Sequence, residues 1–127
     1  MLNSLTAINT GVAAGGAGVA TNNATGTERV TGKLLGFLVT YLDSPPAGTT
    51  DLTIQAVGGP LGTRTLLTLS NAATDGWFPV RQQVVSTAGA DITGAADHIP
   101  LYQDQIKVTI AQANNGDSAT VITVLEI

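Results

Sequence analysis

Residues 105–127 read QIKVTIAQANNGDSATVITVLEI, two runs of β-branched and aliphatic residues on either side of Asn114-Asn115-Gly116-Asp117. Asn and Gly tolerate the positive φ of a compact reversal, so 105–112 and 119–127 are expected to form a β-hairpin about that turn. In the first run Ile106, Val108 and Ile110 share a face. In the second, Val121, Thr123, Leu125 and Ile127 oppose Thr120, Ile122, Val124 and Glu126, so the last strand is expected to be buried on both faces.

Upstream, short apolar–polar alternations are separated by Gly, Pro, Asn and Asp, the punctuation of strands and turns. Segment 33–42 carries Leu34, Gly36, Leu38 and Thr40 on one side and Leu35, Phe37, Val39 and Tyr41 on the other, and reads as a central strand. Asp43-Ser44-Pro45-Pro46-Ala47-Gly48 ends it, because consecutive prolines donate nothing to a ladder. Asp51–Val57 alternates Leu52, Ile54 and Ala56 with Thr53 and Gln55, a strand with one wet face. Further strands are expected over 63–70 and 77–85, with Asp75-Gly76 as a turn and Pro79 marking an edge or a bulge. Segment 86–97 is small and polar and reads as a long loop, in which 91–94 has the alternative of a helical turn. Ile99-Pro100-Leu101-Tyr102 is too short to classify but apolar enough to dock on a core. The pattern implies an all-β protein: a single β-sandwich or jelly-roll-like domain of about six to eight antiparallel strands over 28–127.

Residues 1–27 differ in kind, with no charged and no aromatic side chain. A stretch of Ala, Gly, Thr and Asn has little to bury against its backbone entropy. It is therefore expected to be an extended N-terminal arm ordered by another protein surface. Leu2, Leu5, Ile8 and Val12 are its anchors, and Gly15, Gly16 and Gly18 permit close backbone approach.

Composition narrows the function. The 127 residues suit one domain. Charged residues make up 11%, against about a quarter in ordinary globular proteins, so solubility leans on Thr, Ser, Asn and Gln. A net charge of −4, with Arg29, Lys33, Arg64, Arg81 and Lys107 dispersed, argues against a nucleic-acid binder. The absence of cysteine excludes disulfides and thiolate metal sites and fits a reducing cytoplasm. No basic n-region precedes an apolar run, and the longest apolar candidate, 10–21, is broken by Gly11, Gly15, Gly16 and Gly18. Neither a secretory signal nor a membrane span is expected.

Few residues offer chemistry. His98 is the single histidine and sits beside Asp97, but adjacent side chains point apart and no nucleophile elbow accompanies them. Asp43, Asp51, Asp75, Asp91, Asp97, Asp104 and Asp117 fall mostly at strand ends, where they read as turn residues, and none fits a calcium-loop spacing. The glycines at 11–18 lack the Gly-Lys-Ser/Thr of a phosphate loop. No catalytic residue, metal or cofactor is expected. Trp77, Phe78, Arg81 and Tyr102 are candidates for partner interaction, with core packing as the competing reading.

Three stretches carry a family resemblance: GFLVTY at 36–41 leading through PPAGTTD at 45–51 into a second strand, DGWFPVR at 75–81, and DQIKV at 104–108. On these the chain resembles the head decoration proteins of tailed bacteriophages, also called cement or auxiliary capsid proteins. The resemblance implies a non-enzymatic virion protein on the capsid exterior, made in the host cytoplasm and needing no cofactor. Its implied partners are the major capsid protein and sister copies in a homotrimer, with neither nucleic acid nor membrane. A protein that binds only the assembled lattice stabilises it by mass action, and many copies bind together through multivalency. The alternatives are a carbohydrate- or ligand-binding β-sandwich module, or another small phage head or tail component.

Overall fold

Every-second-residue apolar patterning converts directly into strands. The computed structural model describes residues 1–127 and contains β1 (Leu2–Ser4), β2 (Ile8–Asn9), β3 (Ala20–Thr25), β4 (Val30–Tyr41), β5 (Asp51–Val57), β6 (Arg64–Leu69), β7 (Gly76–Pro79), β8 (Gln82–Val85), β9 (Asp91–Asp97), β10 (Ile99–Ala113) and β11 (Ala119–Glu126). Alternate side chains point to opposite faces. The inward set includes Leu52, Ile54 and Ala56 of β5, Ile106, Val108 and Ile110 of β10, and Val121 and Leu125 of β11.

Two antiparallel sheets enclose this core. One has the order β1/β2–β11–β4–β7, with β1 and β2 forming one interrupted edge strand; the other has the order β3–β10–β5–β6. Four segments give one strand to each sheet, crossing at the same end of the sandwich through 10–19, 42–50, 70–75 and 114–118. Sequence-distant segments thus run side by side around the sandwich, which is the jelly-roll arrangement of an all-β domain.

The reading of 105–127 as a hairpin is corrected. β10 and β11 share no ladder: β11 lies between β4 and β1/β2, and β10 between β5 and β3. Partners from elsewhere in the chain take both edges of each strand and leave none for a hairpin. The Asn-Gly signal serves an arch instead, in which Gly116 has φ 95°. The arch is stitched to its neighbours by Gly116 N–H to Ala13 O at 2.8 Å, Ala13 N–H to Asp117 O at 2.7 Å and Leu42 N–H to Ser118 O at 2.9 Å. Buried Asp117 holds its centre, where Oδ1 accepts from Ser118 N at 2.8 Å and Asp43 N at 3.0 Å. The last strand is buried on its inner face and half-buried on its outer one, and Ile127 is exposed.

The opening segment is also corrected, because 1–27 is part of the sandwich and not an arm held by a partner. Leu5 N–H bonds Thr123 O, and Thr10 N–H bonds Ala119 O, both at 3.0 Å. β3 then pairs with β10 from Thr25↔Lys107 to Ala20↔Ala113. Leu5 and Ile8, each 8% exposed, join the core with Ala13 and Ala20. Low side-chain hydrophobicity did not prevent order, because the backbone N–H and C=O groups of the segment complete the edges of both sheets.

Three smaller expectations change. A bulge beside Leu35 puts Leu34 on the same inner face as Phe37, Val39 and Tyr41. The run 77–85 divides into β7 and β8, which lie in different sheets, and Pro79 closes the edge strand β7. The supposed loop 86–97 contains β9, paired with β8, and Ile99–Tyr102 opens β10.

Candidate interaction surface

Alternation along β7 separates two aromatics that the sequence leaves ambiguous. Phe78 lies opposite Phe37 and packs on the core, whereas Trp77 lies opposite Leu38 on the outer face. A Cβ at Gly36 would sit 2.7 Å from the Trp77 ring and 2.5 Å from Phe78 O, so glycine at 36 allows β7 to lie against β4. Ile122 flanks Leu38, and Val124 flanks Gly36. The centre of this face is therefore a row of uncharged side chains with Trp77 47% and Leu38 42% exposed. Lys33 and Glu126 stand opposite each other at its margin.

A two-stranded finger leaves the edge of β4 next to this face. Its root is fixed at the Leu35 carbonyl, which accepts from Val80 N at 3.2 Å and Arg81 Nη1 at 3.3 Å; Arg81 Nη1 also donates to Val80 O at 2.8 Å. β8 and β9 then pair with each other and with no other strand. The tip closes through Ser86 N–H to Ala90 O and Gly89 N–H to Ser86 O, both at 2.8 Å. Except for half-buried Ala95, every residue of the two strands is exposed, including Val84, Val85 and Ile92. An isolated two-stranded ribbon has too little to bury to be stable by itself.

The remaining candidates scatter. Val12 stands exposed on the first arch, with Val19 on the same arch and Leu42 on a neighbouring one. Leu2 is exposed on the edge strand β1, while Leu5 and Ile8 are in the core. Tyr102 is exposed at the bend of β10, at the other end of the β4 edge from Trp77.

That bend holds a polar cluster that sequence reading missed. Gln103 has φ 52°, and beyond it β10 passes from β4 in one sheet to β5 in the other. Buried Asp104 accepts at Oδ2 from Arg64 Nη2 at 2.6 Å and Tyr102 N at 2.8 Å. Arg64 Nη1 donates to Pro100 O at 2.7 Å, and Arg29 Nη1 donates to Gln103 O at 3.0 Å and Gly58 O at 3.1 Å. The two arginines clasp a strand where its own ladder is interrupted. An acidic residue interrupting the apolar run from Ile99 was the available signal.

At the arch end the carboxylates hold turns. Asp75 Oδ1 accepts from Tyr41 N and Asp51 Oδ1 from Asn71 N, both at 2.8 Å, and Asn114 Nδ2 donates to Asp43 Oδ2 at 3.2 Å. Burial first, and then the charges of Asp117, Asp75 and Asp51, push the Tyr41 phenol up to about 12. No three His, Cys, Asp or Glu side chains are grouped so as to hold a metal ion. His98 is half-buried, and Asp97 Oδ1 accepts from its backbone N at 2.7 Å, so this bond does not orient the imidazole. A cleft of about 290 Å³ lies between the edges β2 and β3, lined in part by Leu5, Ile8, Ala24 and Glu28. Hydrogen bonds from Thr6 hold the Glu28 carboxyl below its ordinary value.

No protein-family model, curated protein or solved structure matches the chain. No helix is long and apolar enough to cross a membrane.

Proposed function

We propose that this chain is a structural virion protein that binds the outside of a phage capsid and stabilises it by bridging neighbouring capsid subunits, without catalysis. The observation that carries the reading is the arch end, where Val12, Val19 and Leu42 stand 60–66% exposed on small-residue arches. Exposed aliphatics on backbone tied down by Asp117 and its neighbours give a preformed apolar contact, which binds with little ordering cost. The jelly-roll order supports the reading by analogy only, since capsid proteins and lectins both use it. A sugar-binding module draws on paired exposed aromatics, and Trp77 and Tyr102 lie at opposite ends of the β4 edge.

The test is co-sedimentation of the purified chain with expanded phage heads, with head stability followed on heating. Binding with a raised head-disruption temperature is expected, and Val12→Asp with Val19→Asp should lower occupancy at least about tenfold while the free chain melts as before. A folded chain that leaves every head preparation unoccupied and unstabilised ends the proposal.

A further inference from the structure

We infer that Asn115 is a spontaneous deamidation site in the 114–118 arch, held unreactive while the 10–19 arch is seated against it, and that its isoaspartyl product prevents that seating. The chemistry is that of the chain alone and stands apart from the capsid reading.

Of the seven asparagines, only Asn115 is followed by glycine. With no Cβ on the next residue, its backbone nitrogen reaches the asparagine side-chain carbonyl with least obstruction. Asn115 is exposed and its amide bonds to nothing in the chain, whereas the neighbouring Asn114 amide is held by Asp43 Oδ2 at 3.2 Å. A Cβ at Gly116 would have nothing within 4 Å, so this corner of the arch is open to solvent. In the reaction Gly116 N loses its proton and bonds to Asn115 Cγ, the Cγ–Nδ2 bond breaks, and ammonia leaves behind a cyclic succinimide. Water then opens the ring at one of its two carbonyls. Opening at Cγ gives aspartate; opening at the main-chain carbonyl gives isoaspartate, with the chain running through Cβ and Cγ.

The nucleophile is the atom that the fold ties up. Gly116 N–H donates to Ala13 O at 2.8 Å, and Ala13 N–H donates back across the same junction to Asp117 O at 2.7 Å. While these bonds stand, the Gly116 nitrogen keeps its proton and its position, so reaction requires local opening of the two arches. Isoaspartate puts one extra carbon into the main chain between Asn114 and Gly116. The bonds from Asp117 N–H to Asn114 O, at 3.2 Å, and from Gly116 N–H to Ala13 O are then no longer made together. Either product also adds a carboxylate to an arch that holds buried Asp117 against Asp43, and segments 10–19, 42–50 and 114–118 contain no lysine or arginine to offset it. A chain that reacts while open is thus marked, and its opening segment seats poorly afterwards.

The experiment is peptide mapping by mass spectrometry of the full chain aged at mildly alkaline pH, folded and in guanidinium chloride, with isoaspartate distinguished from aspartate by fragmentation. In denaturant Asn115 should convert ahead of every other asparagine, and folding should slow it at least about tenfold. Ala13→Pro deletes the N–H that donates to Asp117 O and should bring the folded rate close to that in denaturant. Asn22→Ala, which lacks the Nδ2 bond to Val12 O at 3.0 Å, replaces it if that variant does not fold, and should convert faster than wild type. The isoaspartyl chain, separated after ageing, should melt about 5 °C or more below Asn115→Asp, which carries the same charge on an unaltered main chain. Another asparagine converting first, a folded rate equal to the denatured one, a folded variant no faster than wild type, or equal melting of the two products each overturns the inference. No phage head enters these measurements, so they stand whatever co-sedimentation gives.

Discussion

Residues 2–25 and residues 82–97 are both polar, sparing in large side chains and connected to the body at one end of a sheet edge, yet they have opposite fates. The first segment lies against β11 through β1 and β2 and against β10 through β3, and sends Leu5, Ile8, Ala13 and Ala20 into the core. The second pairs only with itself and leaves its aliphatics in solvent. Composition alone ranks them wrongly, because 82–85 is richer in β-branched residues than 20–25. What decides is whether a central strand has an open edge within reach. β10 and β11 each have one for the opening segment, whereas the edge of β4 is already shared between β7 and the start of β10 where the finger departs.

Deletion breaks this comparison most sharply. Removing 2–25 should abolish the cooperative melt followed by circular dichroism, since it uncovers both central strands and opens the core. Replacing 82–97 by a short Gly-Ser link should leave the midpoint within a few degrees. Asp104→Ala comes next, at about 3 kcal/mol by denaturant titration, because Arg64 loses its partner beside the bend that delivers β10 to β3. At single-residue scale, Ile8→Ala should cost about 2–3 kcal/mol, whereas Val85→Ala should stay within about 0.5 kcal/mol in the free chain. Equal costs at these two positions would remove the distinction between the segments.

A smaller loss than that at Ile8 is tested by pH. Tyr41 is neutral in the folded chain up to about 12 but ionises from 10.0 when unfolded, so the unfolded state gains from losing that proton first. Stability from this group is complete below pH 10.0 and is lost as pH rises from there through about 12. The loss should be on the order of 1 kcal/mol after solvent screening. Tyr41→Phe should remove that part of the alkaline slope in pH-dependent unfolding.

Much of the layered β architecture was legible because alternation is local. Asp51–Val57 emerged with the bounds expected of it, and β4 and β6 within a few residues. The arch at 114–118 was not legible, since Asn-Gly favours a chain reversal whether the two runs then share a sheet or part company. Which occurs depends on partners such as Tyr41, paired with Ala119, and Asp51, paired with Ala111, and no local pattern names them. The candidate surface was half legible. Trp77 and Arg81 could be singled out by residue type, but separating Trp77 from Phe78 required the pairing of β7 with β4. Val84 and Val85 fell within the strand expected over 77–85 without being singled out, and Ile92 was hidden in 86–97, whose small polar residues read as a loop.

The placement of β10 and β11 at the centre of their sheets also has a temporal consequence. Strands β1 to β3 leave the ribosome first, yet their ladders require residues 107–126, so they wait unpaired until nearly all of the described chain is made. Contacts spanning almost the whole sequence put the loop-closure cost before the reward, which belongs to slow, millisecond-to-second folding. During that wait the low charge and β-branched runs of β4 and β5 are open to other chains. The order of synthesis thus makes crowding during expression a hazard to this molecule before its last two strands arrive.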